Sequence, residues 1–218
     1  MSHFFSVSNT AWTLFGTPMS WLELASVGFS LWSVYLMARH NILTWPTGAV
    51  AVVLSLLLLW QIQLYADVVE QIYYFVTGFW GWWLWIVKGG PTDRTIQQGT
   101  RPQILYALGV TGVLSLLAGW FDSNVHIWWP GFFKEAASLP YLDAATTVAS
   151  FTAQWLMVKQ RLECWWFWII IDVVGVWLYA YKGVMLYSVQ YAIFLVLAIG
   201  GLISWTRKRH AAALPTAP

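Results

Sequence analysis

Charge is what this sequence has least of. Only 9% of its 218 residues are Asp, Glu, Lys or Arg, against about 25% in an ordinary soluble domain. That deficit, with 59% hydrophobic residues and a mean hydropathy of +0.61, excludes a soluble globular enzyme and leaves an integral membrane protein. Cysteine is nearly absent too. A single Cys164 excludes an intramolecular disulfide and any CxxC redox or zinc motif. The net charge of +2 comes from residues scattered in loops, not from one basic face, so nucleic acid is not an expected partner. Residues 1–20 lack a basic n-region, and no cleavable signal peptide is expected.

Catalytic apparatus is also missing. The four histidines, His3, His40, His126 and His210, fall outside the centres of the apolar runs, and neither HExxH nor GxSxG occurs. A metal or Ser–His mechanism would have no residues to work with, so neither an enzymatic activity nor a cofactor is expected. No Lys, Arg or His lies in the middle of any apolar run.

What is present is aromatic and apolar, including 18 tryptophans. A spanning helix needs roughly 20 mostly apolar residues. Seven stretches meet that length, at about 20–38, 45–64, 67–87, 102–121, 140–158, 163–181 and 184–205. Pro46, Pro102 and Pro140 stand at or near helix starts, where a missing N–H costs little. Trp82, Trp83, Trp85 and Trp205 read as anchors at the membrane interface. Residues 122–139 form the longest connection on the outer side, with an interfacial composition.

Arg39, Lys88, Arg94, Arg101, Lys159, Arg161, Arg207, Lys208 and Arg209 share one side, against Lys134 and Lys182 on the other. By the positive-inside bias the N-terminus faces outward and the C-terminus the cytoplasm.

The chain also repeats itself. At an offset of 120, residues 20–37 align with 140–157, so that Glu23 meets Asp143, Ser30 meets Ser150 and Trp45 meets Trp165. At an offset of 119, Gln71 meets Gln190, Phe75 meets Phe194 and Gly81 meets Gly200. One span separates the two triplets, which predicts an all-α membrane fold of two parallel three-helix repeats joined by a linker helix, a 3+1+3 arrangement. The expected organisation is an N-terminal extracytoplasmic segment (1–19), a first repeat (20–87), a cytoplasmic loop with linker helix and external loop (88–139), a second repeat (140–205) and a cytoplasmic tail (206–218).

Several spans carry a polar stripe. At about 100° per residue, Trp165, Trp168, Asp172, Gly175 and Tyr179 share one face of the sixth span. Asp143, Thr147, Ser150 and Gln154 share a face of the fifth, and Asp67, Gln71, Tyr74 and Gly78 one of the third. Single Ser and Thr residues often only join helices. Asp172 is different, because an ionisable group near the bilayer centre costs about 2.5–3.5 kcal/mol even on the mildest scale. The stripes together describe a cavity with aromatic walls, amides, hydroxyls and carboxylate but no fixed cation. Such a cavity suits a neutral or cationic, aromatic and hydroxylated solute and rejects a phosphate.

Two stretches carry a family resemblance. YADVVEQIYYFVTGFWGWW (65–83) resembles the YAD…Q..Y…GW region of the PnuC family of bacterial vitamin transporters, and WIIIDVVGVWLY (168–179) resembles its WxxxDxxxxxxY pattern. The resemblance implies a SWEET-like homotrimer in the bacterial inner membrane that takes up nicotinamide riboside by facilitated diffusion, a cytoplasmic kinase trapping the nucleoside by phosphorylation. By motif match it implies ligand contacts from Gln71, Tyr74, Trp168, Asp172 and Trp165. Thr147 and Gln154 join them from the polar stripe. Thiamine or riboflavin as cargo, ion coupling through Asp172, and a scaffolding role are the competing readings.

Overall fold

The computed structural model describes residues 6, 9–14, 17–61, 65–87, 96–129 and 139–213. Among them are seven helices: α1 (Trp21–Ala38), α2 (Thr44–Gln61), α3 (Tyr65–Val87), α4 (Arg101–Trp128), α5 (Pro140–Val158), α6 (Cys164–Tyr181) and α7 (Met185–Ala213). Five of them, α1, α2, α4, α6 and α7, are long and apolar enough to cross a membrane by length and composition. The two that fall short, α3 and α5, carry two of the polar stripes.

The helices start and stop where local chemistry directs. Ser20 caps α1 by accepting the Glu23 N–H at 3.1 Å. Pro102 and Pro140 occupy the first turns of α4 and α5. At the far ends of α1 and α5 the chain makes the same turn twice. His40 N–H donates to Met37 O and Asn41 N–H to Leu36 O, while Gln160 N–H donates to Met157 O and Arg161 N–H to Leu156 O. His40 and Gln160 both adopt φ 55°. That left-handed backbone usually belongs to glycine, and a side chain there costs about 1–2 kcal/mol. At the end of α6 the same turn does use a glycine, Gly183, at φ 75°.

Three boundaries differ from expectation. A short antiparallel hairpin, β1 (Thr10–Leu14) and β2 (Thr17–Ser20), precedes α1; its few alternating residues gave no usable periodicity. Helix α4 continues to Trp128, so residues 122–128 are not loop, and α7 continues past 205 to Ala213. Polar residues at a helix end in water do not stop a helix; they only end its apolar run. Lys88, Arg94, Lys134 and residues 130–138 of the expected outer connection lie outside the described residues.

Side-chain pairs fix the helix directions. Ser26–Ser55 (2.7 Å) and the contacts of Ser33 with Thr44 set α1 antiparallel to α2. Tyr73 Oη donates to Phe151 O and Trp85 Nε1 to Val158 O, so α3 and α5 run parallel. α4 packs on α5, joined by the Thr111–Thr152 hydroxyl pair at 2.8 Å. The bundle therefore has a hairpin end, where α1 begins, and a connector end, where the α1–α2 and α5–α6 turns lie.

Packing at the connector end recurs at a spacing of 120 residues. Trp45 meets Trp85 edge-on with ring centroids 5.3 Å apart, and Trp165 meets Trp205 edge-on at 5.5 Å. Trp85 Nε1 donates to Val158 O at 3.2 Å, and Trp205 Nε1 to Met37 O at 2.9 Å. Trp85 and Trp205 are thus not interface anchors, since both are fully buried. Their indole N–H groups satisfy carbonyls at helix ends that a lipid-facing ring would leave to water. Trp83 remains exposed.

Glycine gives these rings their space. A Cβ on Gly81 would lie 2.3 Å from the Trp45 ring and one on Gly201 2.5 Å from the Trp165 ring, while Gly200 and Gly28 face open space. Packing thereby pairs Gly81 with Gly201, not with Gly200, and the spacing returns to 120. Gly201→Ala is expected to destabilise the protein by about 1–3 kcal/mol through overpacking of a rigid ring. Gly28→Ala is expected to be neutral or stabilising by up to about 1 kcal/mol. Thermal melts in detergent check both, and equal midpoints for the two variants would refute the packing argument.

Candidate substrate cavity

One cavity of about 600 Å³ runs between the helices, from the hairpin end to a floor near the connector end. Ser26, Asp67, Tyr179 and Tyr187 line its hairpin-end portion, and Met37, Trp45, Met157, Trp165 and Ala198 its floor. Between them lies a belt made chiefly by α3 and α6, with Glu70, Gln71, Tyr74, Trp168 and Asp172. The helical spacing that put these residues on common faces is what delivers them to one wall.

Of the seven residues singled out from the sequence, Gln71, Tyr74, Gln154, Trp165, Trp168 and Asp172 all line this cavity. Thr147 does not; it lies half-buried on α5, outside the lining. It shares the helix face of Ser150 and Gln154 but sits a turn nearer the hairpin end than those two lining residues.

Asp172 is 3% exposed. Among the described residues, no hydrogen bond to its carboxylate is found. Gln154 Nε2 lies 3.5 Å from Thr77 Oγ1, a weak contact at most. Trp165 Nε1 and Trp168 Nε1 are buried without an acceptor among the described residues, as is Trp45 Nε1. Each such group is an unspent donor, of a kind native proteins rarely leave without a reason.

Sequence reasoning missed Glu70. Its carboxylate accepts the Tyr74 hydroxyl at 2.7 Å, which fixes that ring in the wall. The signal was present, because 67, 70, 71, 74 and 78 follow one helical stripe. Glu23 and Asp67, noted only as members of the repeat and of a stripe, also line the cavity. Four carboxylates, Glu23, Asp67, Glu70 and Asp172, therefore face the same space, and no Lys, Arg or His is among the lining residues. Among the described residues, no group of three or more His, Cys, Asp or Glu is arranged to hold a metal ion.

The chemistry of this space is legible. Aromatic faces stack on a planar ring and attract a cation, carboxylates add Coulomb attraction, and amides and hydroxyls suit a polyhydroxylated group. A phosphate would meet four carboxylates with no counter-charge.

The family model described as nicotinamide mononucleotide transporter matches residues 20–207. The chain belongs to this family, that of the PnuC transporters. It is 27% identical over 223 residues to the nicotinamide riboside transporter PnuC of Escherichia coli K12, covering 91% of this chain and 92% of that one. It is 23% identical over 211 residues to the riboflavin/roseoflavin transporter RibM of Streptomyces davaonensis, covering 91% of each. The fold matches a crystal structure of the vitamin B3 transporter PnuC with a TM-score of 0.68, at 22% identity, covering 88% of this chain and 83% of that chain. The protein is thus a multi-pass membrane transporter, and the PnuC resemblance read from 65–83 and 168–179 is correct.

Asp172→Asn is expected to weaken binding of an aromatic cation about tenfold or more, because it removes a buried carboxylate from the cavity wall. Thr147→Ala is expected to leave binding unchanged. Quenching of tryptophan fluorescence by the added cation measures both; equal affinities for wild type and Asp172→Asn would contradict the assignment of Asp172.

Proposed function

We propose that this chain takes up nicotinamide riboside across the bacterial inner membrane by facilitated diffusion, with alternating access around the cavity between two parallel three-helix repeats. The observation that carries this reading is the composition of the cavity wall: tryptophan and tyrosine faces, four carboxylates and no basic residue. Nicotinamide riboside is a pyridinium cation joined to a ribose. Its ring fits the aromatic belt of Tyr74 and Trp168, its charge fits Asp172, and its hydroxyls fit Gln71 and Gln154. In the 3+1+3 reading, α1–α3 and α5–α7 are the repeats and α4 is the linker; the parallel course of α3 and α5 and the contacts spaced by 120 residues support it.

The family description names the mononucleotide, whereas the E. coli relative is named for the riboside. The cavity favours the riboside. Phosphorylation turns the cargo from a cation into an anion, which a wall of carboxylates repels. A cytoplasmic riboside kinase would then make net uptake one-way, with no ion gradient needed. The N-terminus faces outward and the C-terminus the cytoplasm, as the Lys and Arg distribution favours, and the chain assembles as a homotrimer.

The likeness to the riboflavin transporter supports a second cargo reading. Riboflavin is uncharged, so it would leave the four carboxylates without a counter-charge, and the cationic nucleoside is the better fit. Calorimetric titration of the purified protein with riboside, mononucleotide, thiamine and riboflavin decides between them. The expected result is tightest binding of the riboside, with the mononucleotide at least about a hundredfold weaker. Equal affinity for the two would overturn the charge argument, and tighter binding of riboflavin would reassign the cargo.

A further inference from the structure

The cavity stops at a floor, and the floor is built from a device that the transport reading does not use. Just beyond Trp45 and Trp165, His40 Nε2 and Gln160 Oε1 lie 3.0 Å apart. These two residues are 120 positions apart and end α1 and α5 with the same turn. The His40 ring is held between Trp85 and Trp205, with centroids at 4.8 and 5.0 Å.

Both residues hold the left-handed backbone at φ 55°. The chain shows with Gly183 that it can use glycine in this turn. Where the two turns face each other it uses side chains that reach across instead. Unfavourable backbone kept at two matched positions points to a role for the side chains it carries. The pair shares its layer with other cross-connections: Trp85 Nε1 reaches from α3 to the end of α5, and Trp205 Nε1 and Lys208 Nζ reach from α7 to the end of α1. The Gln160 side is anchored further, because Gln97 N–H donates to Gln160 O at 3.0 Å and Leu162 N–H to Gln97 O at 2.9 Å.

We propose that the His40–Gln160 hydrogen bond is the latch of a gate at the connector end. It holds the α1–α2 and α5–α6 turns together beneath the cavity floor and must break for the cavity to open on that side. The gate's leaves are the two tryptophan pairs, Trp45 with Trp85 and Trp165 with Trp205. Each leaf belongs to one repeat, so separating the repeats at this end moves each pair as a unit. The bonds that give way are only those that cross between repeats. This inference rests on the transport reading for its purpose, but its geometry does not depend on the cargo.

Two experiments test it on the full chain. In the first, His40→Cys with Gln160→Cys is joined by a short bifunctional methanethiosulfonate reagent in proteoliposomes, with the cross-link verified by mass. Riboside flux is expected to fall to the protein-free level while binding stays within about threefold, and reduction is expected to restore the flux measured before cross-linking. Verified cross-linking with undiminished flux would overturn the latch. In the second, His40→Gly with Gln160→Gly removes the bond while giving both turns their preferred residue, and a thermal melt checks that the fold is kept. A cysteine placed at the floor by Ala198→Cys is expected to react at least fivefold faster with a thiol reagent added at the connector side than in the protein with His40 and Gln160 intact. Labelling of protein lacking the Ala198→Cys change is subtracted to account for Cys164, and an unchanged rate would overturn the proposal. The second experiment needs no ligand. If wild type moves no riboside, the cargo reading fails while the labelling result still decides the latch.

Discussion

A polar side chain inside a bilayer must find its partner within the protein, because lipid supplies none. Everything distinctive about this bundle follows from that constraint. Asp172 on α6 and Glu70 and Gln71 on α3 cannot turn outward, so these helices face one another across a common space. The same demand explains why α3 and α5 are the two helices whose composition falls short of an apolar span. They give up lipid-like character to furnish the walls. A cavity lined with carboxylates and aromatic rings is the consequence, and its charge decides what it can hold.

Rigid aromatic packing closes the cavity. Tryptophan rings are too large to be buried without space made for them, and Gly81 and Gly201 make that space. Trp85 and Trp205 then use their N–H groups to satisfy carbonyls at the ends of α5 and α1. One layer thus fills volume, satisfies backbone and ties one half of the bundle to the other. The cost sits in two left-handed residues, His40 and Gln160, whose side chains meet across the halves. Cargo chemistry is written in the cavity wall, and the control of access in the layer below it.

Much of this was legible in the sequence, for identifiable reasons. Helical periodicity gathers Gln71, Tyr74, Trp168 and Asp172 onto faces, and a face that is polar amid apolar neighbours has to point inward. Glu70 belongs to the same stripe and was readable by the same rule. Other features depend on distance and were not. Position alone made Trp85 and Trp205 look like interfacial anchors, and only their neighbours show them buried. Thr147 shares a face with Gln154, but a helix face spans several turns, and of that face Ser150 and Gln154 reach the cavity while Thr147 does not. His40 looked unimportant because it lies outside the span centres, yet its partner is 120 residues away. Helices α4 and α7 run on beyond the apolar stretches at 102–121 and 184–205, because loss of hydrophobicity marks the edge of the membrane, not the end of a helix.

The central claim is that one acidic, aromatic cavity carries a cationic nucleoside across the membrane without an ion gradient. Solute counterflow in proteoliposomes tests it most directly. Vesicles loaded with unlabelled riboside and diluted into labelled riboside, with sodium and proton gradients collapsed, are predicted to accumulate label transiently. Loading with the mononucleotide instead is predicted to give none. Counterflow that requires an ion gradient, or that runs equally well from internal mononucleotide, would contradict the account.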